Sequence, residues 1–70
     1  MDSHKILARN IRRLRDERGW SQEQLGFEAD IQRTYVSGIE AGKRNPTIMV
    51  LDKFAKALDV ETWELLQDEG

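Results

Sequence analysis

Between Gln32 and Lys43 the chain reads QRTYVSGIEAGK, and the side chains there are suited to hydrogen bonding rather than to breaking bonds. On a helix turning by about 100° per residue, Val36 and Ile39 share one side, Thr34 and Gly38 turn the opposite way, and Arg33 and Ser37 flank that outer face. A merely solvated face would carry long charged side chains. This one offers a guanidinium fork, two hydroxyls and a glycine, which suit the base edges and phosphates of a DNA duplex. Catalysis is poorly served elsewhere. There is one histidine, His4, near the start, no cysteine and no glycine-rich phosphate loop. Asp16 and Glu17 are neighbours on a helix and diverge by about 100°, so they make no acid–base pair. No enzyme activity, metal, cofactor or small-molecule ligand is therefore expected.

Such a segment needs a mount, and the rest of the chain supplies one. His4 to Arg18 places Leu7, Ile11 and Leu14 at helical spacing, with Arg9, Arg12, Arg13 and Arg15 between them, and Gly19 ends this first helix. Arg12 and Arg13 read as solvated. Ser21 caps a second helix, with Gln24 three residues on completing an S-x-x-Q capping box and Trp20 packing over its start. Leu25 and Ala29 face inward. Gln22, in the first turn, either sends its amide to a phosphate, aided by the positive end of the helix dipole, or is an ordinary exposed glutamine. Asp30 and Ile31 leave a tight turn in which Asp30 tolerates left-handed backbone and Ile31 is buried.

The third helix runs from about Gln32 to Glu40, with Gly42 as its left-handed stop. Tyr35 on its flank either reaches a phosphate with its hydroxyl or lies half-buried against the fourth helix. Lys43, Arg44 and Asn45, before Pro46, form a basic loop whose cations and amide suit backbone phosphates. Thr47 caps the fourth helix, where Ile48, Leu51, Phe54, Ala55 and Leu58 form an apolar stripe for the core. A last short helix, about Thr62 to Gln67, carries Trp63, Leu65 and Leu66.

Seventy residues without cysteine make one domain, 1–70, whose small core must hold by packing alone; residues 1–3 and 68–70 are expected to fray. No long apolar run and no basic-then-apolar leader is present, which points to a soluble cytoplasmic protein with no membrane contact. The net charge of −2 argues against nucleic acid, but its distribution softens that objection. Met1 to Asn45 holds nine Lys or Arg against seven Asp or Glu, while Pro46 to Gly70 holds two against six. Screening over about 8 Å lets the local field decide.

The run SQEQLGFEADIQRTYVSGIEAGKRNP, from Ser21 to Pro46, is preceded by IRRL at Ile11 to Leu14 and continues through NPTIMVLDKFAKALDV. On these residues the chain is identified as a member of the phage repressor and Cro-type helix-turn-helix family, often called XRE-like. The resemblance implies an all-α, compact five-helix, lambda-repressor-like domain with its helix-turn-helix at the second and third helices. It also implies that the third helix enters the major groove of DNA. Gln22 then meets a phosphate, Gln32, Arg33, Thr34, Ser37 and Gly38 face the bases or groove walls, and Lys43, Arg44 and Asn45 hold the backbone. Arg15 and Glu40 match a partly buried ion pair joining the third helix to the first. Gly26 stands where the family usually has alanine, and Asp30 where it usually has glycine. RTYVSGIE followed by RNPT is also similar to the controller proteins of restriction–modification systems.

The expected function is a sequence-specific DNA-binding transcriptional regulator acting by occupancy. Arg33 is the candidate for bidentate reading of guanine, and Thr34 for contact with a thymine methyl. A homodimer on a near-palindromic operator is expected, since one domain reads only a few base pairs. Trp63 and Leu66 are its candidate contact, although Trp63 packing back on the core is the equal alternative. The rival reading is a protein–protein interaction module that keeps the fold without specific DNA binding, which the acidic balance favours slightly.

Overall fold

The computed structural model describes residues 3–68. Four α-helices follow one another, α1 (Ser3–Glu17), α2 (Gln22–Ala29), α3 (Arg33–Glu40) and α4 (Ile48–Leu58), and a short 3-10 helix (Thr62–Leu66) ends the chain. Each boundary has a local cause. Gly19 closes α1 at φ 69° and Gly42 follows α3 at φ 72°, both left-handed values that glycine adopts without a steric penalty. The Ser21 hydroxyl accepts from the Gln24 amide at 3.0 Å and the Thr47 hydroxyl from Val50 at 3.3 Å, satisfying donors that have no partner inside their helices. Only half of the expected capping box forms, because the Gln24 side chain donates forward to the carboxylate of Glu28 at 2.9 Å.

The turn between α2 and α3 is as tight as backbone allows. Asp30 takes φ 57°, ψ 48°, and the Ile31 amide donates to the Gly26 carbonyl at 2.8 Å. A Cβ on Gly26 would stand 2.5 Å from the Ile31 carbonyl oxygen. Glycine at this position therefore fits the close approach of the Ile31 carbonyl, which an added methyl would push back. Asp59, which the sequence did not single out, takes the same left-handed conformation after α4, at φ 57°.

One core fills the centre, built from Leu7, Ile11, Leu25, Ala29, Val36, Ile39, Leu51, Phe54, Ala55, Leu58 and Leu65. Removal of this apolar surface from water is the main favourable term in folding. Two expectations fail at its rim. Ile48 is 72% exposed, because the first turn of α4 runs past the elements packed on it, and Ile31 is only half-buried. Trp20 does lean on the core, with the Arg18 guanidinium 5.1 Å from its ring.

The final element is a five-residue 3-10 helix in place of the fifth α-helix. Asn10, 1% exposed on α1, donates its amide to the carbonyls of Leu65 at 2.8 Å and Gln67 at 2.9 Å. These bonds fix the chain as it leaves the turn in extended backbone, so a longer helix cannot build, and short runs are the rule for this tighter helix. Of the ends expected to fray, Ser3 opens α1 and Asp68 is paired with Arg9 at 2.8 Å; residues 1–2 and 69–70 lie outside the described residues. No helix among the described residues is long and apolar enough to cross a membrane.

Candidate nucleic-acid interface

Gln32 is the N-cap of α3 rather than its first turn, in extended backbone at φ −64°, ψ 143°. Val36 and Ile39 are fully buried on the inner side of this helix, while Gln32, Arg33 and Thr34 are exposed at its leading end. Ser37 and Gly38 are half-buried. The projecting edge is thus an amide, a guanidinium and a hydroxyl on the positive end of a helix dipole, a setting that attracts anionic groups.

At the other end of α3, Glu40 is held almost out of water. Its carboxylate accepts from Arg15 Nε at 2.7 Å and Nη2 at 3.0 Å, and from Gln22 Nε2 at 3.2 Å. The third nitrogen of Arg15 donates to the Trp20 carbonyl at 2.8 Å. One guanidinium therefore joins α1, the segment leading into α2, and the last turn of α3. The bond to Glu40 raises the Arg15 pKa above its usual value, burial opposes this, and the charges of Glu40 and Asp16 add to the rise. Arg15 thus stays charged wherever the chain folds. A buried pair of this kind fixes orientation more than it adds net stability.

Gln22 opens α2 beside this pair, with one amide hydrogen on Glu40 and a second left to bond elsewhere. That link is not visible in the sequence, since it joins the start of α2 to the end of α3, eighteen residues on.

The loop after α3 departs from a simple exposed strip. The Lys43 amide donates to the Gly38 carbonyl at 2.9 Å, turning the chain back on the helix. Lys43, Arg44 and Asn45 are exposed, yet the Arg44 guanidinium lies 4.8 Å from the Tyr35 ring centroid, a cation–π stack. Its stem crosses Gly38 so closely that a Cβ there would stand 2.9 Å from Arg44 Cδ and Nε. The absent side chain of Gly38 makes room for Arg44 in the first place, rather than leaving bare helix. Tyr35, half-buried against the core, is the platform. Only the Tyr35–Gly38 spacing, a ring and a gap side by side on one helix face, hints at this seat in the sequence.

Trp63 and Leu66 take no part in this surface. They stand 62% and 46% exposed on the 3-10 helix, which is tied to α4 by the Thr62 hydroxyl donating to Asp52 at 2.6 Å. Met49 and Phe27 are further exposed apolar side chains that the sequence reading passed over. Among the described residues, no group of acidic or histidine side chains is placed to hold a metal ion.

Comparison with known proteins bears on this geometry. Residues 11–65 match the helix-turn-helix family HTH_3. The control protein C.SmaI of Serratia marcescens is 40% identical over 70 residues, covering 100% of this chain and 83% of that protein. The hypothetical transcription factor NHTF from Neisseria superposes with a TM-score of 0.94 at 38% identity, covering 97% of this chain and 78% of the other. The restriction–modification controller protein C.Esp1396I, solved as a tetramer in complex with its natural 35 base-pair operator, superposes with a TM-score of 0.84 at 35% identity, covering 94% of this chain and 91% of that one.

Proposed function

The chain belongs to the helix-turn-helix family, and from that premise we propose that it is a cytoplasmic, sequence-specific DNA-binding transcriptional regulator. It acts by occupancy, with no chemistry of its own, as one domain spanning 1–70 in a phage-repressor-like arrangement. The 3-10 helix stands where the fifth helix of that arrangement would be. The observation that carries this reading is the exposed edge Gln32, Arg33 and Thr34, on a helix anchored at its other end by the partly buried Arg15–Glu40 pair. In it, α3 enters the major groove, Arg33 reads a guanine through O6 and N7, and Thr34 meets a thymine methyl. Tyr35, Ser37 and Gly38 line the groove side, and Gln22 uses its second amide hydrogen on a phosphate. Lys43, Arg44 and Asn45 grip the backbone beyond, Arg44 leaving its seat on Tyr35 to do so.

Two copies act together on a near-palindromic operator, joined through Trp63 and Leu66. The operator-bound tetramer of C.Esp1396I supports assembly of this kind, and the likeness to C.SmaI supports a controller-type regulator. Selection of bound duplexes from a random-sequence pool tests the reading. Enrichment of a short, two-fold symmetric motif is expected. Retention of DNA without enrichment, or no retention, would favour a protein-interaction module instead.

A further inference from the structure

On α1, Lys5, Arg9 and Arg12 recur at the spacing of one helix face, and no step of the proposed function uses them. With Ala8 they form one wall of a cleft of about 380 Å³ whose other wall is Glu40, Ala41 and Gly42, at the end of α3. Most cations of this helix are already neutralised. Arg13 pairs with Glu17 at 3.2 Å, Arg15 with Glu40 at 2.7 Å and Arg9 with Asp68 at 2.8 Å. Lys5 and Arg12 have no carboxylate at ion-pair distance among the described residues. The acid on the cleft wall, Glu40, has both oxygens taken up by Arg15 and Gln22.

Two uncompensated cations thus face one cleft in a chain whose net charge is −2. Two uncompensated cations on one wall of a recess raise the positive field inside it. The wall opposite them carries, beside the Glu40 carboxylate already held by Arg15 and Gln22, only an alanine and a glycine, so a compact anion meets little steric obstruction on its way to the two cations. Gly42 leads directly into Lys43, which places the cleft next to the loop proposed to grip DNA. Cations that only offset the end of α3 would not need a recess between themselves and it.

We propose that the Lys5–Arg12 cleft binds a phosphate group, supplied by the DNA backbone where the duplex continues past the Lys43–Asn45 loop. The source of the phosphate rests on the DNA-binding reading; the cleft itself does not. The test compares the wild-type protein with a Lys5→Ala/Arg12→Ala variant, in which both altered side chains are exposed and Arg9 keeps its bond to Asp68. Affinity for the selected operator is followed against salt. The variant's logarithmic slope should be shallower by about 0.9, which is roughly a 3.5-fold smaller loss of affinity between about 50 and 200 mM salt, alike on every sequence. In a second arm, inorganic phosphate is titrated into the free wild-type protein while the Lys5 and Arg12 side-chain resonances are followed. Their saturable shift supports a phosphate site with no DNA present. Parallel salt slopes would overturn the assignment to the duplex backbone, and unmoved resonances as well would overturn the site altogether. Failure of the wild type to enrich any motif would instead sink the DNA-binding reading, and the phosphate titration would still decide the cleft.

Discussion

The leading end of α3 and the exposed face of the 3-10 helix are both surfaces turned to water, and they are held in opposite ways. Gln32, Arg33 and Thr34 are polar and ride on a helix whose other end is fixed by a partly buried, bidentate ion pair that ties three segments together. Trp63 and Leu66 are apolar and sit on a short turn fastened by amide and hydroxyl bonds. Hydrogen bonds to a duplex demand fixed directions, so their mount must be rigid. Apolar contact has no preferred direction and tolerates a looser one. Among the described residues, the one buried carboxylate, Glu40, anchors the helix for which orientation matters most.

The sharpest way to break this contrast is Glu40→Ala. It strands Arg15 in a mostly buried site and should remove about 3 kcal/mol from a domain of this size stable by only about 4–10 kcal/mol. Urea denaturation measures it, and a loss below about 1 kcal/mol would show that the pair is no anchor. Next comes Trp63→Ala, expected to weaken self-association by about 2 kcal/mol or more, the cost of losing an interface anchor. Sedimentation equilibrium reads this directly, and a wild type that is only monomeric at micromolar concentration, free and on operator, removes the dimer.

Arg33→Ala should lose roughly 1 to 3 kcal/mol on the selected site and relax preference at one base. Arg44→Ala should instead weaken all sequences nearly equally and flatten the salt slope by about 1. Identical salt titrations for the two would erase the division between reading and gripping. The smallest effect is expected from Gly38→Ala. The three atoms nearest its Cβ all belong to the flexible Arg44 side chain, which can swing off Tyr35, while alanine favours helix by up to about 1 kcal/mol. Thermal melting should show a neutral or slightly stabilised protein. A loss above about 1 kcal/mol would mean that the Arg44 seat is a structural contact in its own right.

What could be read before any coordinates were known was mostly local or periodic. The Ser21 and Thr47 caps, the glycine stops and the inward pair Val36 and Ile39 each follow from a few neighbouring residues. Ile48 misled because periodicity identifies a stripe but not how far the neighbouring helices reach along it. Asn10 was silent because a lone asparagine inside a helix looks solvated until a distant carbonyl is brought to it. The side of α3 that carries Arg33 was legible, but the fold of Arg44 over Gly38 depends on how the loop reverses. Gln22 shows the same limit: its place in the first turn of α2 was plain, whereas its bond to Glu40 needs the whole three-helix assembly.

The Asn10 amide has a further consequence, for the order in which the molecule comes apart. Because one buried side chain holds the Leu65 and Gln67 carbonyls, some fifty-five residues along the sequence, the stretch from Leu65 to Gln67 is pinned to the first helix at more than one point. It must open as a unit, and that opening would uncover the slot filled by Leu65. Slow exchange of the backbone hydrogens in this last turn would then report on the integrity of the interior, not on local fraying.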